Sequence, residues 1–261
     1  MMTIFKQITV SIIFLASVPG MAEDLPDYER EQRIAEQIEP DIFDGESVWL
    51  NANDHDFLAI HIPVENSTGA VIVMHGRDVN PEEQNVVGPL RVGLAEQGWT
   101  TLALQMPVLA KGKQYNDYLP ILKFAHGRIE AAIQFLRDQG ENTVILASHS
   151  CGAHMTNDWL NKVGDNRING YIAIGLGATD IGQKLQTPFP IANMTVPVLD
   201  IYGSNEFPAP LSMVGERQAM LKQNGNPAST QIVVDGADHY FTDYGDILTV
   251  VIAEWLNQTT F

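Results

Sequence analysis

A serine between small residues is the clearest chemical signal in this sequence. Residues 144–153 read VILASHSCGA, so an apolar run leads directly into a turn that carries Ser150. A buried strand, a tight turn and a helix in this order are typical of a nucleophile elbow, where a strained backbone exposes the serine hydroxyl. Small residues two positions before and after the serine let the strand and the helix approach each other. Gly152 fits this pattern, whereas Ser148 replaces the usual glycine; the alternative is an ordinary turn in which Ser150 caps a helix.

A histidine and two carboxylates follow at positions that suit a base and an acid. His239 comes after the last strand-like run and before the last helix-like run. Glu206 follows an earlier strand-like run and gives the chain order serine, acid, histidine. Asp180 follows the preceding strand and is the competing acid, whereas Asp200 lies within its strand. A base that removes the proton of Ser150 and an acid that holds the base's tautomer would activate the serine.

Alternating strand-like and helix-like runs must hold these residues. Residues 47–50 and 57–62 alternate apolar and polar side chains, as half-buried antiparallel strands do. Further strands are predicted at 70–74, 100–105, 143–147, 171–175, 196–202 and 230–234, and helices at 27–38, 86–96, 121–137, 153–160, 211–223 and 246–257. We therefore expect an α/β fold with a mostly parallel central sheet, antiparallel N-terminal strands and helices on both faces. Only residues 176–195 separate two of the strands, so we expect no large lid domain.

In this order, the elements resemble the α/β-hydrolase superfamily across residues 46–257. More narrowly, four motifs are similar to an uncharacterised bacterial family of exported α/β-hydrolase-like proteins. They are MHGR at 74–77, PLR at 89–91, GWTTL at 98–102 and QMP at 105–107. The resemblance implies the fold and assigns no substrate.

The α/β-hydrolase resemblance also implies an oxyanion hole. One backbone N–H would come from the loop after the strand at 70–74, at Arg77, and the other from Cys151, directly after the serine. His75 is predicted to brace this loop, and residues 106–120 are predicted to form a wall of the substrate pocket. These roles predict a serine hydrolase, a carboxylic-ester hydrolase acting through an acyl-enzyme on Ser150, with a small-molecule acyl substrate and no cofactor. The alternative is a non-catalytic exported binding or envelope protein, because a fold does not fix a function.

The first residues predict a cleavable signal peptide. Lys6 precedes an apolar run at 8–18, and Gly20-Met21-Ala22 offers the small residues of a cleavage site. The run is shorter than the roughly 20 residues of a membrane-spanning helix, which argues against the alternative of a membrane anchor. We therefore predict a signal peptide at 1–22, a periplasmic or secreted location, a helical extension at 23–45 and a hydrolase domain at 46–261.

Charge and cysteine content narrow the classes of partner. The formal net charge is −17, which makes nucleic acid and anionic membrane surfaces poor partners. Cys151 is the single cysteine, so the chain cannot form an internal disulfide. The sequence shows no cluster of cysteine and histidine with the spacing of a metal site.

Overall fold

The structure is a computed structural model that describes residues 24–185 and 189–261. The predicted signal peptide at 1–22 lies outside the described residues, and its cleavage stays a prediction. Within the described ranges, none of the helices is both long enough and apolar enough to cross a bilayer.

Eight strands of the described chain form one sheet in the order β1-β2-β4-β3-β5-β6-β7-β8. Their bounds are β1 Glu46–Ala52, β2 His55–Ile62, β3 Ala70–Met74, β4 Thr100–Leu104, β5 Val144–His149, β6 Gly170–Ile174, β7 Val198–Asn205 and β8 Thr230–Asp238. Strand β2 runs antiparallel to β1 and to β4, and the other neighbours are parallel. The predicted sheet, parallel with antiparallel N-terminal strands, is confirmed.

Helices cover both faces of this sheet, as predicted. Their bounds are α1 Tyr28–Ile38, α2 Val87–Glu96, α3 Tyr115–Tyr118, α4 Phe124–Asp138, α5 Cys151–Val163, α6 Pro208–Ser212, α7 Val214–Asn224 and α8 Gly245–Gln258. Apolar side chains of α4 and α5 contribute to the core on one face, and those of α2 and α8 to the core on the other. Between β6 and β7, the described residues form only one short 3-10 helix, Pro190–Asn193, as regular structure. This agrees with the expectation of no large lid.

Strand β3 shows how the sequence supplies both cores. Its side chains alternate, so that Ala70, Ile72 and Met74 join the core with α4 and α5, while Val71 and Val73 join the core with α2 and α8. A strand that is buried on both faces has to be apolar throughout, as this one is.

Strand β2 is more buried than its alternating sequence predicted. Residues 57–61 are all buried, with Phe57 and Ala59 in one core and Ile60 in the other. The prediction of a half-buried strand was wrong here because β2 lies inside the sheet, between β1 and β4. Helix α1 and helix α2 also pack against it.

Helix α1 docks onto the body through a buried ion pair. Glu31 is 3% exposed, and its carboxylate accepts a hydrogen bond from Arg128 Nη2 at 2.8 Å. The same carboxylate accepts the amide of Val108 at 3.1 Å and lies 3.0 Å from His55 Nε2. Losing one member of such a pair leaves an uncompensated buried charge, which typically costs about 3–5 kcal/mol. The helix predicted at 27–38 is therefore anchored by a buried charged residue, with Ala35 as a second buried position.

Strands β7 and β8 both run beyond their predicted ends at residues 202 and 234. Their parallel pairing continues through a register shift at Gly203 to the pair formed by Asn205 and Asp238. The backbones are very close here: a Cβ on Gly203 would lie 2.2 Å from the carbonyl oxygen of Ala237. The chain leaves these two strands at neighbouring points of the sheet edge, directly before residues 206 and 239.

A second buried ion pair connects β7 to α7. Arg217 Nε donates to Asp200 Oδ2 at 2.8 Å, and both side chains are fully buried. Gln231 Nε2 donates to the same oxygen at 2.7 Å, while Arg217 Nη1 donates to the carbonyl of Pro210 at 3.1 Å. The predicted single helix at 211–223 is instead two helices, α6 and α7, which meet at Met213, whose amide donates to the carbonyl of Pro210 at 3.1 Å.

Replacing Gly203 with alanine should strain the β7–β8 pairing. We expect Gly203→Ala to lower the free energy of unfolding by about 1–3 kcal/mol, as overpacking of a close contact does, measured by urea denaturation. Gly215→Ala is the matched control, because a Cβ at this exposed helical position meets no atom within 4 Å. The control should match or exceed the wild-type stability. Equal stability of the two variants would contradict the close approach of the two strands.

Candidate functional site

Ser150 occupies a strained turn between β5 and α5. Its φ is 53° and its ψ is −118°, a region that costs a non-glycine residue on the order of 1–3 kcal/mol. Its amide donates to the carbonyl of Ile174 in β6 at 2.9 Å, which fixes the turn to the sheet. The Ser150 side chain makes no capping hydrogen bond to α5. The geometry is that of a nucleophile elbow, and the alternative of a helix-capping serine fails.

Small residues on both sides of Ser150 make this turn possible. A Cβ on Gly152 would lie 2.4 Å from the carbonyl oxygen of His75, so only glycine lets α5 approach the loop after β3 this closely. Ser148, the departure from the usual pattern, is fully buried, and its hydroxyl donates to Tyr171 Oη at 3.3 Å. A serine is accommodated here because its hydroxyl has a partner.

The structure brings Ser150, His239 and Glu206 together. The Ser150 Oγ lies 2.9 Å from His239 Nε2, and His239 Nδ1 lies 2.8 Å from Glu206 Oε2. Because an ionised carboxylate only accepts, Nδ1 carries the proton and Nε2 accepts from the serine hydroxyl. His239 is 3% exposed and Glu206 4% exposed, so water is largely excluded from the bond between them. This arrangement can remove a proton from the serine and hold the imidazole in one tautomer.

Asp180, the competing acid, faces Arg77 instead of His239. Its two oxygens accept from Arg77 Nη1 at 2.5 Å and from Nη2 at 3.0 Å, and the amide of Tyr115 donates to it at 2.6 Å. Burial raises the pKa of Asp180, but the Arg77 guanidinium and the Tyr115 amide outweigh burial and hold this pKa below its usual value. Of the two candidate acids, the structure places only Glu206 on the histidine.

The loop after β3 carries the predicted oxyanion donor Arg77. His75 braces this loop, since its Nδ1 donates to the carbonyl of Gly76 at 2.7 Å and its Nε2 accepts the amide of Met106 at 2.9 Å. Burial lowers the pKa of His75 to about 4, which keeps the ring neutral in this role.

The second predicted donor, Cys151, is the first residue of α5. The N–H groups of a helix's first turn have no acceptor within the helix. Burial raises the pKa of the Cys151 thiol to about 12, so the thiol is not a competing nucleophile at neutral pH. The donor roles of Arg77 and Cys151 stay predictions.

Sequence reasoning gave His149 no role and missed its contact with the candidate base. His149 Nε2 donates to the carbonyl oxygen of His239 at 2.9 Å, and the two ring centroids lie 5.1 Å apart. Burial lowers the pKa of His149 to about 3, so the ring is neutral. Its position directly before the serine was the available signal, but only the fold shows that it reaches residue 239.

A cavity of about 110 Å³ opens beside Ser150. It is lined by Gly76, Arg77, Val79, Glu83, His149, Ser150, Thr179, Asp180, Phe207, His239 and Tyr240. The expectation that residues 106–120 form its wall was wrong. Tyr115 and Tyr118 of that segment are buried in the core because their rings complete the apolar layer around α4, and Lys111 and Lys113 point to solvent. Within the described residues, no three His, Cys, Asp or Glu side chains are grouped to hold a metal.

Solved structures of α/β hydrolases share this fold. An α/β serine hydrolase homologue from Coxiella burnetii is 16% identical with a TM-score of 0.62, covering 84% of this chain and 99% of that chain. An α/β serine hydrolase without lid from Xanthomonas campestris is 16% identical with a TM-score of 0.59, covering 84% and 98%. An esterase from Pyrococcus furiosus is 18% identical with a TM-score of 0.62, covering 86% and 95%. At these identities, the likeness establishes the fold.

The sequence comparisons add a family and no characterised relative. Residues 15–119, less than half of the chain, match a family described as protein of unknown function (DUF3530). The sequence matches none of the curated proteins with which it was compared. The chain has the fold of the α/β hydrolases, and its residues 15–119 are similar to a family of unknown function.

Proposed function

We propose that this chain is a serine hydrolase that cleaves carboxylic esters through an acyl-enzyme on Ser150. The observation that carries the proposal is the continuous set of hydrogen bonds from Ser150 through His239 to Glu206, built on a strained elbow serine. Backbone strain of this kind persists only where the surrounding structure imposes it, and it concentrates at functional sites. The esterase among the fold neighbours supports the same reaction class.

The geometry suggests a two-step reaction. Ser150 Oγ attacks the ester carbonyl while His239 takes the hydroxyl proton, and the amides of Arg77 and Cys151 stabilise the resulting oxyanion. The tetrahedral intermediate collapses, the bond to the alcohol oxygen breaks, and His239 delivers the proton to the leaving alcohol. A water then attacks the acyl carbonyl while the same histidine takes its proton. The bond to Ser150 Oγ breaks, His239 returns the proton to Ser150, and the carboxylic acid leaves. Glu206 holds the imidazole tautomer and stabilises the imidazolium in both steps.

The role of Ser150 can be tested with its alanine variant. We expect purified wild-type protein to hydrolyse short-chain aryl esters, and Ser150→Ala to lose nearly all of that activity because the nucleophile is gone. Catalytic losses within one unit are not additive, so Ser150→Ala combined with His239→Ala should be little worse than Ser150→Ala alone. The readout is kcat/KM, with circular dichroism to show that both variants stay folded.

A fluorophosphonate label separates the enzyme from a non-catalytic scaffold. It should modify Ser150 in the wild type and leave Ser150→Ala unmodified, as read by peptide mass mapping. Equal turnover by wild type and folded Ser150→Ala would show that Ser150 is not the nucleophile. Absence of both labelling and turnover across a broad ester panel would favour the alternative of an exported binding or envelope protein.

Two isosteric variants test the choice of acid. Glu206→Gln keeps the shape of the side chain and loses the negative charge that selects the histidine tautomer, so kcat should fall by about 10²–10⁴-fold. Asp180→Asn weakens the bond to the Arg77 guanidinium instead and should lower kcat far less. The two kcat values with one aryl ester, measured side by side, decide the matter. A larger loss in Asp180→Asn than in Glu206→Gln would overturn the assignment of Glu206.

We also propose export to the periplasm or the outside of the cell, on the evidence of the charged start, the apolar run at 8–18 and the residues around Ala22. Protein released by osmotic shock should begin at Glu23 when its N-terminus is sequenced. An intact Met1 on protein from the cytosolic fraction would refute the signal peptide.

A further inference from the structure

Two partly exposed aromatic rings stand at the mouth of the cavity, on the side of the base. Phe207 is 37% exposed and Tyr240 is 53% exposed, although both are large apolar rings. Each ring centroid lies 5.1 Å from the His239 ring, and the two rings face each other edge-on at 6.1 Å. We call Phe207 and Tyr240 the aromatic corner.

The aromatic corner is held in place by the same loops that carry the acid and the base. The amide of Phe207 donates to Glu206 Oε1 at 2.8 Å, and the amide of Tyr240 donates to Asp238 Oδ1 at 3.0 Å. Asp238 also accepts from the amide of Thr242 at 3.0 Å, which closes this turn. The backbones of both aromatic residues are therefore fixed before any ligand arrives.

The chemistry of the reaction decides which part of an ester reaches the aromatic corner. His239 has to protonate the leaving alcohol oxygen, so the alcohol portion of the substrate lies on the histidine side of Ser150. Phe207 and Tyr240 both contact the His239 ring and line the cavity, so a substrate group on this side of Ser150 would meet them as it extends outward.

The charged side chains of the cavity are already used within the protein. The Arg77 guanidinium is paired with Asp180, and the Glu83 carboxylate accepts the amides of Asn85, Val86 and Val87 at the start of α2. Phe207 and Tyr240 are therefore the exposed aromatic side chains of the lining that a ligand can contact.

We propose that the preferred substrates are esters whose alcohol portion carries an aromatic ring, which the aromatic corner binds. Aromatic rings prefer edge-to-face and offset contacts with other rings, and such contacts favour a ring over an aliphatic group of equal size. This proposal rests on the proposed function for turnover and for the placement of the alcohol portion, while binding of an aromatic ring can be measured without turnover.

Benzyl acetate and cyclohexylmethyl acetate form a matched substrate pair. Both are acetates of primary alcohols of similar size, so they differ mainly in the aromaticity of the ring. Wild type should favour benzyl acetate in kcat/KM, and Phe207→Leu and Tyr240→Leu should each reduce this preference by about 2- to 12-fold, which is what one aromatic contact contributes.

Two further variants serve as controls, one for the loss of the Tyr240 hydroxyl and one for the loss of an aromatic ring elsewhere on the surface. Tyr240→Phe keeps the ring and should keep the preference for benzyl acetate. Phe43→Leu removes an aromatic ring that is 87% exposed and does not line the cavity, and it should leave both substrates unaffected. Equal kcat/KM values for the two acetates in wild type, or a preference that survives both leucine changes, would overturn the aromatic corner as a binding site.

Binding to Ser150→Ala distinguishes a failure of this proposal from a failure of the proposed function. Both acetates can be titrated against this variant by NMR, since it cannot form an acyl-enzyme. Tighter binding of benzyl acetate, lost in Ser150→Ala combined with Phe207→Leu, would support the aromatic corner even if wild type turned over no ester. Equal binding of both acetates would refute it even if wild type were an active esterase.

Discussion

The arrangement of the candidate site depends on the parallel pairing of β7 with β8 as far as Asn205 and Asp238. This pairing brings two loops that are far apart in sequence to adjacent points of one sheet edge, where Glu206 and His239 meet. Ser150 reaches the same edge from β5, held by a bond to β6. Because the carboxyl ends of parallel strands share one edge, a single sheet can bring residues from three loops together. A shift of one residue in the β7–β8 register would move the acid off the base.

Two ion pairs, one buried and one partly buried, secure the connections that the sheet alone does not hold. Arg217 joins Asp200 of β7 to the carbonyl of Pro210, and so holds the helix that begins just after Glu206. Arg77 joins the loop after β3 to Asp180 of the loop after β6. Such pairs contribute little net stability, because desolvation offsets much of their attraction, but they are costly to break on one side. They therefore favour one placement of these loops over others.

Much of the fold and most of the site could be predicted from the sequence, because apolar periodicity and local motifs are short-range signals. The runs around 70–74 and 144–147, the turn at Ser150 and the order of Glu206 and His239 are of this kind. The burial of β2, the contact of His149 with residue 239 and the burial of Tyr115 and Tyr118 in the core depend on which distant segments cover each face. The burial of Glu31 shows the same limit, since a glutamate on a polar helix is ordinarily exposed and its partner is far along the chain.

The ion pair between Glu31 and Arg128 also means that α1 is synthesised well before it can dock fully. The two residues are 97 positions apart, so α1 leaves the ribosome long before its anchor exists. A helix of 11 residues is only marginally stable alone in water. The contact of α1 with His55 in β2 can form early, whereas its bond to Arg128 has to wait until the middle of the chain has emerged. Complete docking of α1 therefore follows the synthesis of α4, which carries Arg128.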